Sequence, residues 1–202
     1  MKDFPRICLF LLMWLFLGCQ SETEQNLHDT MQSVSTAIHD RDISQLKPHL
    51  SKSSSQTIKE AYEELSKLHE SSTKLPLKER QAIEKKLPTS VISKKQQTFL
   101  NDLLNERLKA LSLNKNTRAG LQIESITQES KTEAQVVTKS EQRFAFSFED
   151  GAWKIHLFEK SLRGIIEDTR TANQALGLTL ERNARRRQIE SVLHNALKKD
   201  KK

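Results

Sequence analysis

The sequence predicts an α+β protein: N-terminal helices packed on a curved antiparallel sheet of about four strands, followed by a helical C-terminal extension. Three observations carry that expectation. Apolar residues recur at helical spacing from Leu27 to Leu111, alternate after Gly120, and return to helical spacing after Lys160. Only 5 Gly and 4 Pro interrupt 202 residues, which favours helix over a turn-rich sandwich or barrel. At 36% hydrophobic residues the chain supports one modest core, not two large ones.

The first element is not part of that fold. Met1–Arg6 carries Lys2 and Arg6, and Ile7–Leu17 is an unbroken apolar run. As a helix this run spans roughly half of a ~30 Å hydrocarbon core, too short to cross a membrane. A charged start, a short apolar run and a small residue at its end are the pattern of a secretory signal. The end, Phe16-Leu17-Gly18-Cys19, resembles the lipobox of bacterial lipoproteins. That resemblance implies a signal over 1–18, diacylglycerol on the Cys19 thiol and a lipidated tether over 19–26. An ordinary signal ending by coincidence in Gly-Cys is the alternative. Gln20 in place of Asp implies, by the same resemblance, the outer membrane, with the protein facing the periplasm. Cys8 and Cys19 are the only cysteines, so under this reading no thiol remains for a disulfide, a metal or a nucleophile.

Leu27, Met31, Val34 and Ile38 recur at spacings of 4, 3 and 4 and predict a first helix. Asp42 with Gln45 reads as a capping box opening a second helix near Ile43. Ser53 with Gln56 repeats the signature before Ile58, Tyr62 and Leu65, and Ser93 with Gln96 before Phe99, Leu103 and Leu104. Pro76 and Pro88 bracket one further short helix, and Ser66–Lys78 fits no single pattern.

After Gly120 the strongest signal is Phe144, Phe146, Phe148, then Asp150-Gly151, then Trp153, Ile155, Leu157. Asp-Gly between two alternating runs predicts a two-residue hairpin turn, because both central positions need positive φ. That turn pairs Phe148 with Trp153, Phe146 with Ile155 and Phe144 with Leu157, all on one face. The other face carries Ala145, Ser147, Lys154 and His156. Two weaker strands precede the hairpin, near Leu121–Gln128 and Glu133–Lys139. Helices leading into a meander that ends in Glu149-Asp150-Gly151-Ala152-Trp153-Lys154 look like the nuclear transport factor two-like superfamily, especially its bacterial lipoprotein members. The resemblance covers residues 27–160 and implies a cone-like α+β domain whose interior can hold a ligand. Residues 161–202 would then be a basic helical extension.

The residues exclude most chemistry. The four glycines after the signal are scattered, so no phosphate-cradling loop or nucleophile elbow can be built. None of the six histidines pairs with another at one helical turn, so no metal site and no cofactor are expected. Family enzymes place acid/base groups inside the cone, which singles out Tyr62 and His156 as candidate pocket residues. No partner for either is fixed by the sequence, and catalysis is not expected.

Charge is localised. Lys160–Lys202 carries 11 basic against 5 acidic residues, whereas Gln20–Glu159 carries 20 of each. Arg182, Arg185, Arg186, Arg187, Lys198 and Lys199 are candidate contacts to an anionic lipid surface or an acidic envelope protein. Export and the lack of stacking aromatics argue against nucleic acid. A solvated helix face is the alternative. In the extension, Leu162, Ile166, Thr169, Asn173, Leu176 and Leu180 line one narrow face; Ile189, Val192, Leu193, Ala196 and Leu197 form another, 160–200° away on a straight helix (an angle from ~100° per residue). With Gly177 as a break, the expectation is one packed piece, Ser161–Leu180, and a separate basic amphipathic piece, Ile189–Leu197. The function expected is that of a non-catalytic, lipid-anchored envelope protein. The alternative is a small-ligand-binding module or enzyme using the cone interior.

Overall fold

The computed structural model describes residues 24–110 and 117–199. The signal, Cys19 and most of the tether lie outside the described residues, as do Lys201 and Lys202. The fold is α+β, with a four-stranded antiparallel sheet. Helix α1 covers residues 24–40, α2 Ile43–Leu46, a 3₁₀ turn Lys47–His49, α3 Lys52–Ser72, α4 Leu77–Glu84, α5 Thr89–Ile92, α6 Gln96–Ala110 and α7 Thr117–Gly120. Strands β1 (Ile123–Gln128), β2 (Glu133–Thr138), β3 (Arg143–Glu149) and β4 (Ala152–Ile155) follow, and then helix α8 (Glu159–Lys199). The chain divides into two compact units, each discontinuous in sequence: residues up to Ser55 with Leu103–Leu157, and Gln56–Asp102 with Phe158 onward.

In the first unit α1 buries the predicted stripe of Leu27, Met31, Val34 and Ile38, with Ala37 beside it. The helix ends where Arg41 takes a left-handed φ of 55° and the Asp42 N–H bonds back to the Ala37 carbonyl at 2.9 Å. Asp42 Oδ1 then accepts the Ser44 and Gln45 N–H groups at 2.9 and 3.2 Å, capping α2 as its position predicts. The cap of α3 differs from expectation. Ser51, not Ser53, opens it: Ser51 Oγ accepts the Ser54 N–H at 3.0 Å and the Ser51 carbonyl accepts the Ser55 N–H at 2.9 Å. Ser51 lacks the Gln three residues on that marks Ser53, yet it takes the cap because Leu50 pairs in parallel with Ile155 just before it.

The sheet is a meander in the order β1-β2-β3-β4. Phe146 pairs with Ile155 and Phe148 with Trp153, the register that the turn and the hydrophobic pattern both require. Asp150 and Gly151 have φ of 52° and 81°, the positive values of a type I′ turn. Open space surrounds the position of a Cβ on Gly151, so the cost of a side chain there is conformational alone. Gly151→Val is expected to destabilise by about 1–3 kcal/mol in urea unfolding, because a β-branched residue tolerates positive φ poorly; an unchanged midpoint would show that the turn relaxes freely.

Two sequence expectations for the hairpin need correcting. The last bond between the two strands runs from the His156 N–H to the Ala145 carbonyl at 2.9 Å, and the Leu157 N–H donates to Ser54 Oγ at 2.9 Å instead of extending the pairing to Phe144. Phe148 lies on the apolar face but is 41% exposed at the end of the hairpin, where it meets Trp153 edge-on at 5.4 Å.

In the second unit Tyr62 packs edge-on against Phe99 at 5.4 Å. Helix α3 runs through the ambiguous stretch to Ser72, and α4 occupies the interval between Pro76 and Pro88. Ser93 closes α5 rather than opening α6, with Lys94 following at φ 55°. Helix α8 buries Leu162, Ile166, Thr169 and Leu176, with Asn173 and Leu180 half-buried, which is the predicted narrow face. Asn173 Nδ2 donates to the Glu64 carbonyl at 3.2 Å, and Arg170 pairs with Glu60, tying α8 to α3.

The predicted break at Gly177 is absent: α8 continues as one helix of 41 residues. A helical glycine costs only about 1 kcal/mol relative to alanine, too little to interrupt strong helix formers on both sides. The environment changes along the helix as far as Ser191, while the side chains of residues 192–197, most of the predicted second piece, lie outside those described. Every residue from Glu181 to Ser191 is exposed.

Candidate functional site

Three places in the structure gather chemistry-bearing side chains. The first lies in the first unit, where the hairpin meets the start of α3. His156, on the polar side of the hairpin, places Nε2 3.0 Å from Ser147 Oγ and Nδ1 3.3 Å from Ser51 Oγ. Ser147 Oγ donates to Glu149 Oε1 at 2.7 Å, and Glu149 Oε2 accepts the Lys52 N–H at 3.0 Å. Lys52 Nζ reaches Asp150 at 2.9 Å.

Partial burial pushes the Glu149 carboxyl up, but the Lys52 N–H and the Ser147 hydroxyl, with His156 and Lys52 nearby, outweigh it and leave it below the usual glutamate value. The Lys52 hydrogen bond and charge lower Asp150 as well. His49, in the preceding 3₁₀ turn, is held below the ordinary imidazole value by its burial and then by the Lys154 ammonium.

A serine–histidine–serine–carboxylate chain invites comparison with acyl-transfer machinery. The geometry argues for a structural joint. Ser51 is fully buried and its oxygen is committed to capping α3, so it cannot meet a substrate. Ser147 already gives its proton to Glu149. The array fastens the hairpin tip to a helix N-terminus, where a carboxylate is favoured by the helix dipole.

The second place is a groove of about 470 Å³, also in the first unit. His28, Met31, Gln32, Ser35 and Thr36 of α1 form one wall, and Leu121, Gln122, Ile123 and Lys139 the other. Lys139 Nζ donates to Gln122 Oε1 at 2.8 Å. The lining holds a mixture of apolar and polar groups and no carboxylate. Among the described residues no group of three or more His, Cys, Asp or Glu could hold a metal ion.

The third is the distal part of α8. Arg182, Arg185, Arg186 and Arg187 are all exposed there; Arg186 pairs with Glu190 at 3.0 Å. Lys198 and Lys199 lie in the same helix. Leu178 and Ile189 are 63% and 60% exposed.

The two candidate pocket residues fall in different units. Tyr62 meets Phe99, and His156 meets Ser51 and Ser147; neither lines the groove. Arg182, Arg185, Arg186 and Arg187 lie in one stretch of α8, all of them exposed. Sequence reasoning missed the joint residues Ser51, Ser147 and Glu149, because partners about a hundred positions apart leave no local signal. It also missed the groove, although His28, Gln32, Ser35 and Thr36 do form the polar shoulder of the α1 stripe. Compared with protein-family models, with characterised sequences and with solved structures, the chain matches none. Among the described residues no helix is long and apolar enough to cross a membrane.

Proposed function

We propose that this protein is a non-catalytic envelope lipoprotein, anchored through lipid on Cys19 at the outer membrane, that binds another envelope component through its basic C-terminal helix. We further infer a nuclear transport factor two-like body, a reading supported by the four-stranded meander and its Asp-Gly-x-Trp hairpin. The observation that carries the proposal is the distal part of α8. Four arginines within six positions stand exposed on a helix whose preceding half is packed. A helix segment exposed at every residue from Glu181 to Ser191 contributes little to stability, so its charge is available for a surface of opposite sign. The sequence of Met1–Cys19 supports the anchor, because a single short apolar run cannot span a bilayer whereas acylation at Cys19 attaches the chain stably.

The test of the anchor is direct. Cys19→Ser is expected to abolish incorporation of labelled palmitate and to release the chain from the membrane fraction or leave it uncleaved. Palmitate incorporation that persists in this variant would exclude Cys19 as the attachment point.

Small-ligand binding remains the second reading, favoured by the volume and mixed lining of the groove between α1 and β1. It requires that Lys139→Ala change the affinity for an anionic ligand while leaving membrane attachment intact.

A further inference from the structure

The continuity of α8 gives its distal half a defined orientation. Leu178 and Ile189 are eleven residues apart, which is three turns with a mismatch of about 20°, so they lie on one stripe roughly 16 Å apart along the axis. Arg182 and Arg185 fall between them at spacings of four and three, on the same stripe. This stripe lies about 160–200° from the buried face of Leu162, Ile166 and Leu176, so it points away from the packed side of α8. The two apolar side chains are among the most exposed large hydrophobic residues described.

We propose that this stripe docks on the interface of an anionic phospholipid bilayer, with Leu178 and Ile189 entering the headgroup–acyl boundary and Arg182 and Arg185 on lipid phosphates. The proposal rests on the reading of the protein as an anchored envelope lipoprotein and names what its basic helix binds. Charge decides between the two obvious occupants. From Glu181 to Lys199 the helix carries six Lys or Arg against two Glu. A second copy laid along the same stripe would set arginines against arginines at the centre of the contact. An anionic bilayer supplies phosphates to those arginines and an apolar layer just beneath them for the leucine and isoleucine.

The experiment uses the full chain as the cell processes it, carrying Ile189→Cys labelled with an environment-sensitive fluorophore. Asn183→Cys, on the other side of the same helix, is the comparison. The unsubstituted chain treated with the same reagent gives the background, including any Cys19 thiol left without lipid. On vesicles of phosphatidylcholine mixed with phosphatidylglycerol, the label at position 189 is expected to shift to the blue and brighten, and that at 183 to stay unchanged. The shift is expected to vanish on pure phosphatidylcholine, at high salt, and when Arg182→Glu and Arg185→Glu are combined.

A chain that floats with the mixed vesicles and shows no shift at position 189 overturns the docking. So does a shift that appears without vesicles and grows with protein concentration, which would assign the stripe to a second copy. Failure of the anchor reads out separately, as a chain that does not float with pure phosphatidylcholine vesicles.

Discussion

Trp153→Ala is expected to cost about 3–5 kcal/mol of unfolding free energy, the largest loss from a single substitution in the sheet. Trp153 is 2% exposed and sits in β4 between the hairpin turn and Ile155, which is fully buried. Its indole N–H finds no hydrogen-bond partner among the described residues, so its contribution is packing alone. Removing the ring leaves a cavity that strands fixed by the turn register cannot collapse to fill. Phe148→Ala supplies the contrast. Phe148 lies on the same face and touches Trp153, yet at 41% exposure it should cost only about 1 kcal/mol, the scale of one aromatic pair and some exposed area. The two midpoints in urea, at an unchanged m-value, measure the difference. Equal losses at both positions would mean that the hairpin end is as buried in solution as its middle.

Replacing Glu149 by alanine is expected to cost about 1–3 kcal/mol at pH 7, since it leaves the Lys52 N–H and the Ser147 hydroxyl without their acceptor. Its pH dependence is the sharper test. The folded protein holds the Glu149 carboxyl below its ordinary value of 4.5. Between those two values the unfolded chain binds more protons than the folded one, so acid favours unfolding. The stabilisation is therefore complete above pH 4.5 and is lost as the pH falls through the folded value. Parent and Glu149→Ala curves should converge on acidification. Asp150 acts in the same direction through Lys52 but is exposed, so it adds little. His49 produces an earlier loss: its value lies below 6.5, and stability present above that pH declines as the imidazole is forced to charge. A constant gap between parent and variant from neutral to acidic pH would remove the carboxylate from the account of this joint.

The sequence alone determined those elements whose causes are local. The Asp150-Gly151 turn and the alternation on either side of it specify a single register, because a slip by one residue would turn Phe146 and Trp153 to the solvent. Asp42 caps α2 through its own side chain, and the spacing of Leu162, Ile166, Thr169 and Leu176 marks the buried side of α8 before any contact is known. The clustered arginines announce an exposed, basic helix end for the same reason: that many charges cannot be buried without partners. The tertiary structure decided what depends on distant residues. Leu50 pairing with Ile155 selected Ser51 over Ser53 as the cap of α3. His156 acquired Ser51 and Ser147 as partners only when β4 and the start of α3 were brought together. Helix α8 passed through Gly177 because one glycine costs less than ending the helix there. That continuity, which no local signal prescribes, put Leu178 and Ile189 on the side of the helix away from Leu162, Ile166 and Leu176 and left both exposed.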